Sequence, residues 1–136
     1  MCIRDRTDII NDQVGTLDKF IGDAIVAFYG APVPMKDHAY RACLTSQLMD
    51  KQLAELRAKW ATEDWPDIVH TMQHRMGINT GDMVTGNMGS LRRFNYTMMG
   101  DNVNLAARCE SGAKAYHVFT MAVSYTHLTL PTILRV

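Results

Sequence analysis

The stretch Gly15–Gly30, GTLDKFIGDAIVAFYG, constrains the fold of this chain more than any other. Two runs rich in apolar and β-branched residues, Thr16–Ile21 and Ala24–Tyr29, flank Gly22-Asp23, which predicts a β-hairpin with a tight turn. Asp suits such a turn because its side chain bonds nearby backbone and tolerates left-handed geometry. Asp23 therefore has two readings, a turn residue or a hard oxygen donor for a metal, and the hairpin alone favours the turn.

The rest of the chain sets the frame. Its 136 residues, 47% hydrophobic and 21% charged, suit one soluble globular domain or most of one. At this size folding buries about two-thirds of the surface that the unfolded chain exposes, enough for a core. The 14 basic and 14 acidic residues balance, so nothing predicts a nucleic-acid partner or a membrane surface, and any phosphate site must be local. Cys2, Cys43 and Cys109 are scattered without metal-ligand spacing, which fits a reducing compartment and no disulfide framework. No run reaches the about 20 apolar residues of a membrane span, and no signal peptide is recognisable.

The ends differ in character from the middle. Met1–Arg6 (MCIRDR) and the tail VSYTHLTLPTILRV from Val123 resemble translated sequencing-adapter read-through. Residues 1–6 and 123–136 are thus expected to be non-native, with the domain in 7–122. The tail also fits an ordinary strand over Val123–Leu130 ended by Pro131.

Within 7–122, TDIINDQ fits the last turn of a helix leading into the hairpin. After it, the prolines of Ala31–Met35 make a rigid connector, and Asp37 stands as an N-cap. Ala39, Ala42, Ser46, Met49, Leu53, Leu56 and Trp60 recur at intervals of three and four, so they share one face of a helix. Arg41, Gln47, Lys51, Glu55 and Arg57 face the other way, and His38 is expected at the surface near the helix start. The stripe is too short for a coiled coil and predicts packing on a sheet. Asp64-Trp65-Pro66-Asp67 marks a loop, followed by strand character over 72–79, 83–88 and 94–99. Gly77, Gly81, Gly86 and Gly89 sit where a meander wants them, with no Gly-Lys-Ser/Thr to suggest a phosphate loop. Gly100-Asp101 opens a helix over 102–113, on which Asn104 and Arg108 share a face that would by default be solvated surface. This order predicts an α+β, ferredoxin-like sheet with helices on one face.

Three motifs carry a resemblance: LDKFIGDAIVAFYGAP, RMGINTGDMVTGNMGS and RRFNYTMMGDNVNLAARCES. Together they are similar to the catalytic domain of class III nucleotidyl cyclases, specifically bacterial adenylate cyclases, over nearly all of 7–122. The resemblance implies the same fold and conversion of ATP to 3′,5′-cyclic AMP and pyrophosphate. The ribose 3′-oxygen would attack the α-phosphate in line, a reaction carried by positioning and electrostatics.

Residue by residue, Asp23 matches one of the two aspartates with which the family holds a pair of Mg²⁺ ions, with Mn²⁺ as an alternative. Lys19 matches the lysine that bonds the adenine base, and Thr97 its partner, which is Asp or Thr in adenylate cyclases. Guanylate cyclases typically hold Glu and Cys at these two positions. Lysine donates to the adenine N1 acceptor, whereas the guanine N1–H wants an acceptor. Asn104 matches the asparagine that orients the ribose, and Arg108 the arginine that stabilises charge on the α-phosphate. The resemblance further implies a homodimer with shared active sites, with the metal aspartates from one protomer and the other residues from its partner. It implies a bacterial, cytoplasmic domain, with no direct membrane contact and any membrane anchor of the parent elsewhere.

The sequence departs from the family in two places. The first metal aspartate belongs to a strand ahead of the helix that ends near the hairpin, and Asp5, Asp8 and Asp12 lack that apolar context. The C-terminal strands, with a lysine that contacts the triphosphate, are replaced or missing beyond Val123. This polypeptide alone is therefore expected to be inactive although its parent is an enzyme. The alternatives are a catalytically dead cyclase-like module that binds nucleotide or dimerises, and a guanylate cyclase. A diguanylate cyclase would want a GGDEF-like turn, which Phe20-Ile-Gly-Asp23 is not.

Overall fold

The hairpin forms with the boundaries its sequence predicts, β1 over Thr16–Ile21 and β2 over Ala24–Tyr29, joined at Gly22, whose φ of 62° is the left-handed region glycine tolerates. The structure is a computed structural model that describes residues 2–123 and, as backbone, 132–135. Before the hairpin lies α1 (Ile3–Asp12), and after it α2 (His38–Trp60), α3 (Asp67–His70) and β3 (Met76–Thr80). Then come β4 (Val84–Ser90), β5 (Arg93–Met99), α4 (Asp101–Ala115), β6 (Thr120–Ala122) and β7 (Thr132–Arg135).

Five strands form one sheet in the order β1-β2-β7-β3-β6, and β4 and β5 form a separate two-stranded ribbon. β7 lies between β2 and β3 and runs antiparallel to both, while β6 pairs with β3 in parallel. The strand expected over 123–130 falls, beyond Val123, outside the described residues.

The α+β class holds, and one detail of the arrangement is corrected: the helices cover both faces of the sheet. Ile25, Ala27 and Tyr29 of β2 join Met76 and Ile78 of β3 in a cluster with Ile10 of α1 and Ala42 and Met49 of α2. Val26 and Phe28 point the other way, into a cluster with Met98 of β5 and Ala106 of α4. The physical reason lies in AIVAFY: with no polar alternation, the strand is buried on both sides, and both faces need a cover. Gly77 admits α4 to the second face. A Cβ there would stand 2.1 Å from the Ala106 carbonyl oxygen and 2.3 Å from the Glu110 nitrogen.

Other expectations shift at the margins. The α2 stripe packs as read, with Ala39, Ala42, Ser46, Met49 and Leu53 buried. Asp37 stands at the N-cap position, but its carboxylate accepts from Arg41 Nε at 2.8 Å rather than from the helix backbone. His38 is buried, 2% exposed, and not a surface residue. The short α3 follows the expected loop, and β3 begins only at Met76, whose N–H bonds the Phe119 carbonyl beside β6. α1 reaches back to Ile3 and buries Arg6.

Candidate functional site

The site grows from an irregularity in β1. Leu17 pairs with Ala27 and Lys19 with Val26, so Asp18 is the extra residue of a β-bulge. Strict alternation would send Asp18 and Lys19 to opposite faces; a bulge re-aims side chains, and here both meet the α4 face. A cavity of about 160 Å³ opens there, lined by Asp18, Lys19, Val26, Val103 and Asn104 among others.

Asp18 is the centre of this arrangement. Its side chain is 1% exposed, and its Oδ2 lies 3.3 Å from Lys19 Nζ. The same oxygen accepts a hydrogen bond from Thr97 Oγ1 at 2.9 Å. Oδ1 is buried without a partner. A desolvated carboxylate is costly unless paired, so these contacts hold Lys19 and Thr97 to one point. The Lys19 side chain nonetheless remains 47% exposed and lines the cavity.

Thr97 arrives on β5, which is tied to the sheet although it belongs to the other ribbon. The Phe28 and Tyr96 rings pack with centroids 6.0 Å apart, and Met98 is buried against Val26 and Phe28. Between these two anchors Thr97 is itself buried.

α4 is positioned by amides. Asn79, fully buried on β3, donates from Nδ2 to the Asn102 backbone oxygen at 3.0 Å and to Asn102 Oδ1 at 3.1 Å. Asn102 Nδ2 donates onward to the Asp82 carbonyl at 3.0 Å. This bridge fixes the first turn of α4, and Asn104 and Arg108 project from the following turns as exposed residues.

Three of the five expected site residues thus gather in one place, Lys19 and Thr97 through Asp18 and Asn104 on the cavity wall; Arg108 follows Asn104 by one turn of α4 and is not among the residues lining the cavity. Asp23 stands apart. Its exposed residue lines a different cavity of about 150 Å³, with Arg6, His74, Arg75 and Glu110. There the Arg6 Nη2 donates to the Asp23 backbone oxygen at 2.7 Å. Burial pushes the Arg6 guanidinium below its ordinary pKa, and the charge of Asp23 opposes that.

Asp23 offers one hard carboxylate donor. Among the described residues no group of three or more His, Cys, Asp or Glu side chains converges to hold a metal ion. The donor set present does not amount to a two-ion site. Asp18, whose carboxylate organises the other cavity, is the residue that the sequence reading missed. Its signal was two adjacent polar residues, Asp18-Lys19, after the alternating polar and apolar pair Thr16-Leu17, a break in alternation that marks a bulge.

Comparisons with known proteins bear on this geometry. Adenylate cyclase 1 of Rhizobium meliloti (strain 1021) is 32% identical over 116 residues, 85% of this chain and 17% of that protein. The chain thus spans less than a fifth of the length of that relative. The crystal structure of the adenylyl cyclase CyaB from P. aeruginosa superimposes with a TM-score of 0.79 at 27% identity, covering 98% of this chain and 76% of that one. A solved guanylyl cyclase superimposes with a TM-score of 0.75, also at 27% identity, covering 97% of this chain and 74% of that one. The sequence model of the adenylate and guanylate cyclase catalytic domain matches residues 7–133, and the chain belongs to that family of class III nucleotidyl cyclases.

Proposed function

We propose that this chain is part of an adenylate cyclase catalytic domain, which converts ATP to 3′,5′-cyclic AMP and pyrophosphate in nucleotide signalling. One observation carries the choice of ATP: Lys19 and Thr97, the expected base-reading pair, share the buried carboxylate of Asp18 at the mouth of a cavity that Asn104 also lines. A lysine ammonium only donates, which suits the N1 acceptor of adenine and leaves the N1–H of guanine facing another donor. Asn104 would orient the ribose. Arg108, exposed on the same helix face, would meet the charge that develops on the α-phosphate as the 3′-oxygen attacks.

The separation of Asp23 from this cavity supports a homodimer in which each site draws Asp23 from one protomer and the other four residues from its partner. The family generally uses divalent metals, and Asp23 would give Mg²⁺ one of its oxygen ligands. Because among the described residues no group of three or more His, Cys, Asp or Glu side chains converges to hold the ions, the 136-residue chain by itself is expected to be inactive. Mg²⁺-dependent cyclic AMP formation by this chain would overturn that. The reading takes residues 7–122 as the body of the domain, while the family match runs on to residue 133 and β7 pairs with both β2 and β3.

The test is turnover of ATP and GTP by the full-length parent, followed by complementation. Asp23→Ala and Arg108→Ala parents should each lose activity by at least about a hundredfold. A mixture of the two should regain up to a quarter of wild-type activity, since random pairing restores one intact site in half of the dimers. No recovery from two dimerising parents sinks the shared site. The second reading, a guanylate cyclase, is favoured by the structural likeness to a guanylyl cyclase, and preferential GTP turnover would decide for it.

A further inference from the structure

We infer that Asp18 is a specificity-determining residue, which sets the hydrogen-bond polarity of the base site by taking the hydroxyl proton of Thr97. The inference deepens the adenylate reading above and rests on it.

A threonine hydroxyl has one proton to donate and lone pairs that accept, and it rotates to suit its neighbours. Facing a purine, an unconstrained Thr97 could therefore donate to the O6 of guanine or accept from the 6-amino group of adenine with equal ease. Asp18 removes that ambiguity. A carboxylate oxygen accepts only, and Asp18 Oδ2 lies 2.9 Å from Thr97 Oγ1, so the hydroxyl proton is committed to it. What Thr97 has left for a ligand is acceptor capacity. Beside it stands Lys19, its Nζ 3.3 Å from the same oxygen, with donors to spare.

The edge so presented is a donor next to an acceptor. Adenine offers the complement, the N1 acceptor beside the 6-amino donor. Guanine offers the reverse, an N1–H donor beside an O6 acceptor, and would face like against like at both positions. Lysine alone rejects guanine at one position; Asp18, acting through Thr97, adds the second. The arrangement is built rather than incidental: the bulge puts Asp18 on this face, its side chain is 99% buried, and the bond to Thr97 spans 79 residues of sequence. Leaving a buried polar group unpaired against the wrong base is what makes such a site selective.

The experiment compares kcat/KM of the full-length parent and its D18A, D18N and T97V variants for ATP, GTP and purine riboside triphosphate, which lacks the 6-amino group. Wild type should prefer ATP to both. In D18A the freed hydroxyl can donate to O6, so the ATP-to-GTP ratio should fall about tenfold. The preference for ATP over purine riboside triphosphate should hold, because the freed hydroxyl still accepts from the 6-amino group. D18N keeps the volume of the side chain but can donate as well as accept, and its ATP-to-GTP ratio should fall by less. Adding D18N to T97V should change the ratio no further, because Asp18 acts through that hydroxyl. A role in folding alone would lower every rate together and leave the ratios in place.

Where a variant turns over too slowly, the same ratio is read from competition of ATP and GTP against a fluorescent ATP analogue. ATP-to-GTP ratios that change less than threefold in both D18A and D18N overturn the inference, with D18N decisive if D18A does not fold. A wild type that prefers GTP overturns the adenylate reading instead. A wild type that prefers ATP with unchanged variants overturns the role of Asp18 alone.

Discussion

The two faces of the five-stranded sheet share one strand, β2, and differ in what they enclose. The face under α1 and α2 is closed and mostly apolar, with Ile25, Ala27 and Tyr29 against Ile10, Ala42 and Met49, all fully buried. That face buries polar residues as well, among them Thr45 and Ser46 of α2, but the face under α4 and β5 holds fewer buried apolar residues and relies on polar ones, Asp18, Thr97 and Asn79, to tie β1 to β5 and β3 to α4. Burial of apolar side chains is non-directional and contributes stability in proportion to area. Buried polar groups hold only where their partners are correctly placed, so they contribute geometry at a cost in stability. The comparison teaches that one face anchors the domain and the other arranges a site, and the cavity with Lys19 and Asn104 opens on the second.

The largest effect should come from breaking the seam on which the second face depends. Gly77→Ala would place a methyl group 2.1 Å from the Ala106 oxygen and 2.3 Å from the Glu110 nitrogen, both backbone atoms of α4. Helix and strand must then separate, at a cost of about 3 kcal/mol or more. The displacement also carries Asn104 away from Lys19. Urea unfolding of wild type and variant measures the first effect, and nucleotide competition the second. A loss below about 1 kcal/mol would show that α4 shifts freely, and the α4 face would then not be the precise one.

How much of this was legible before the structure depends on whether the signal was local. Gly22-Asp23 between β-rich runs gave the hairpin, and the three-and-four spacing from Ala39 to Leu53 gave α2, because turn chemistry and helical periodicity act within a few residues. The spacing of Asn104 and Arg108 likewise foretold two exposed groups on α4. Tertiary effects were less visible. The split of the helices between faces was written in the unbroken apolar run of β2, yet it becomes clear only once α4 is seen against Gly77. The departure of β4 and β5 from the main sheet has no local marker, since a strand's partner is chosen by packing. Asp18 looked like an ordinary neighbour of Lys19 until Thr97, 79 residues away, supplied its partner.

A smaller effect sharpens the comparison from the closed face. Thr45 Oγ1 donates to the Arg41 carbonyl at 2.8 Å, so the Tyr29 hydroxyl, 2.7 Å away, must be the donor to Thr45. Tyr29→Phe removes that donor but leaves Thr45 bonded, and should cost about 1 kcal/mol. Burial pushes the Tyr29 hydroxyl up from 10.0 to about 12, so the unfolded chain ionises first as pH rises. Stability from this group is therefore full below pH 10 and declines toward pH 12 in wild type, and that decline should be absent from the phenylalanine variant. The ATP-to-GTP ratio should not move, because the hydroxyl lies on the far side of the sheet from the cavity. A changed ratio would mean that the two faces are coupled through β2.

The smallest effect tests the rim of the closed face, where β3 is entered. His74 Nε2 lies 2.6 Å from Asp50 Oδ1 of α2, and the imidazole is 10% exposed. Burial lowers its pKa below the ordinary 6.5, and the bond and charge of Asp50 oppose that shift without cancelling it. The sign follows. Above pH 6.5 the ring is neutral in both states and stability is full; as pH falls through 6.5, the unfolded chain takes up a proton that the folded chain resists, and stability is lost until the folded pKa is passed. Carboxylates titrate nearby, so the quantity to measure is the difference between wild type and His74→Asn in urea unfolding from pH 7.5 to 5. That difference should shift against wild type as the solution is acidified. If it shifts in favour of wild type instead, the pair with Asp50 outweighs burial, and the rim of the closed face is held by charge as the α4 face is.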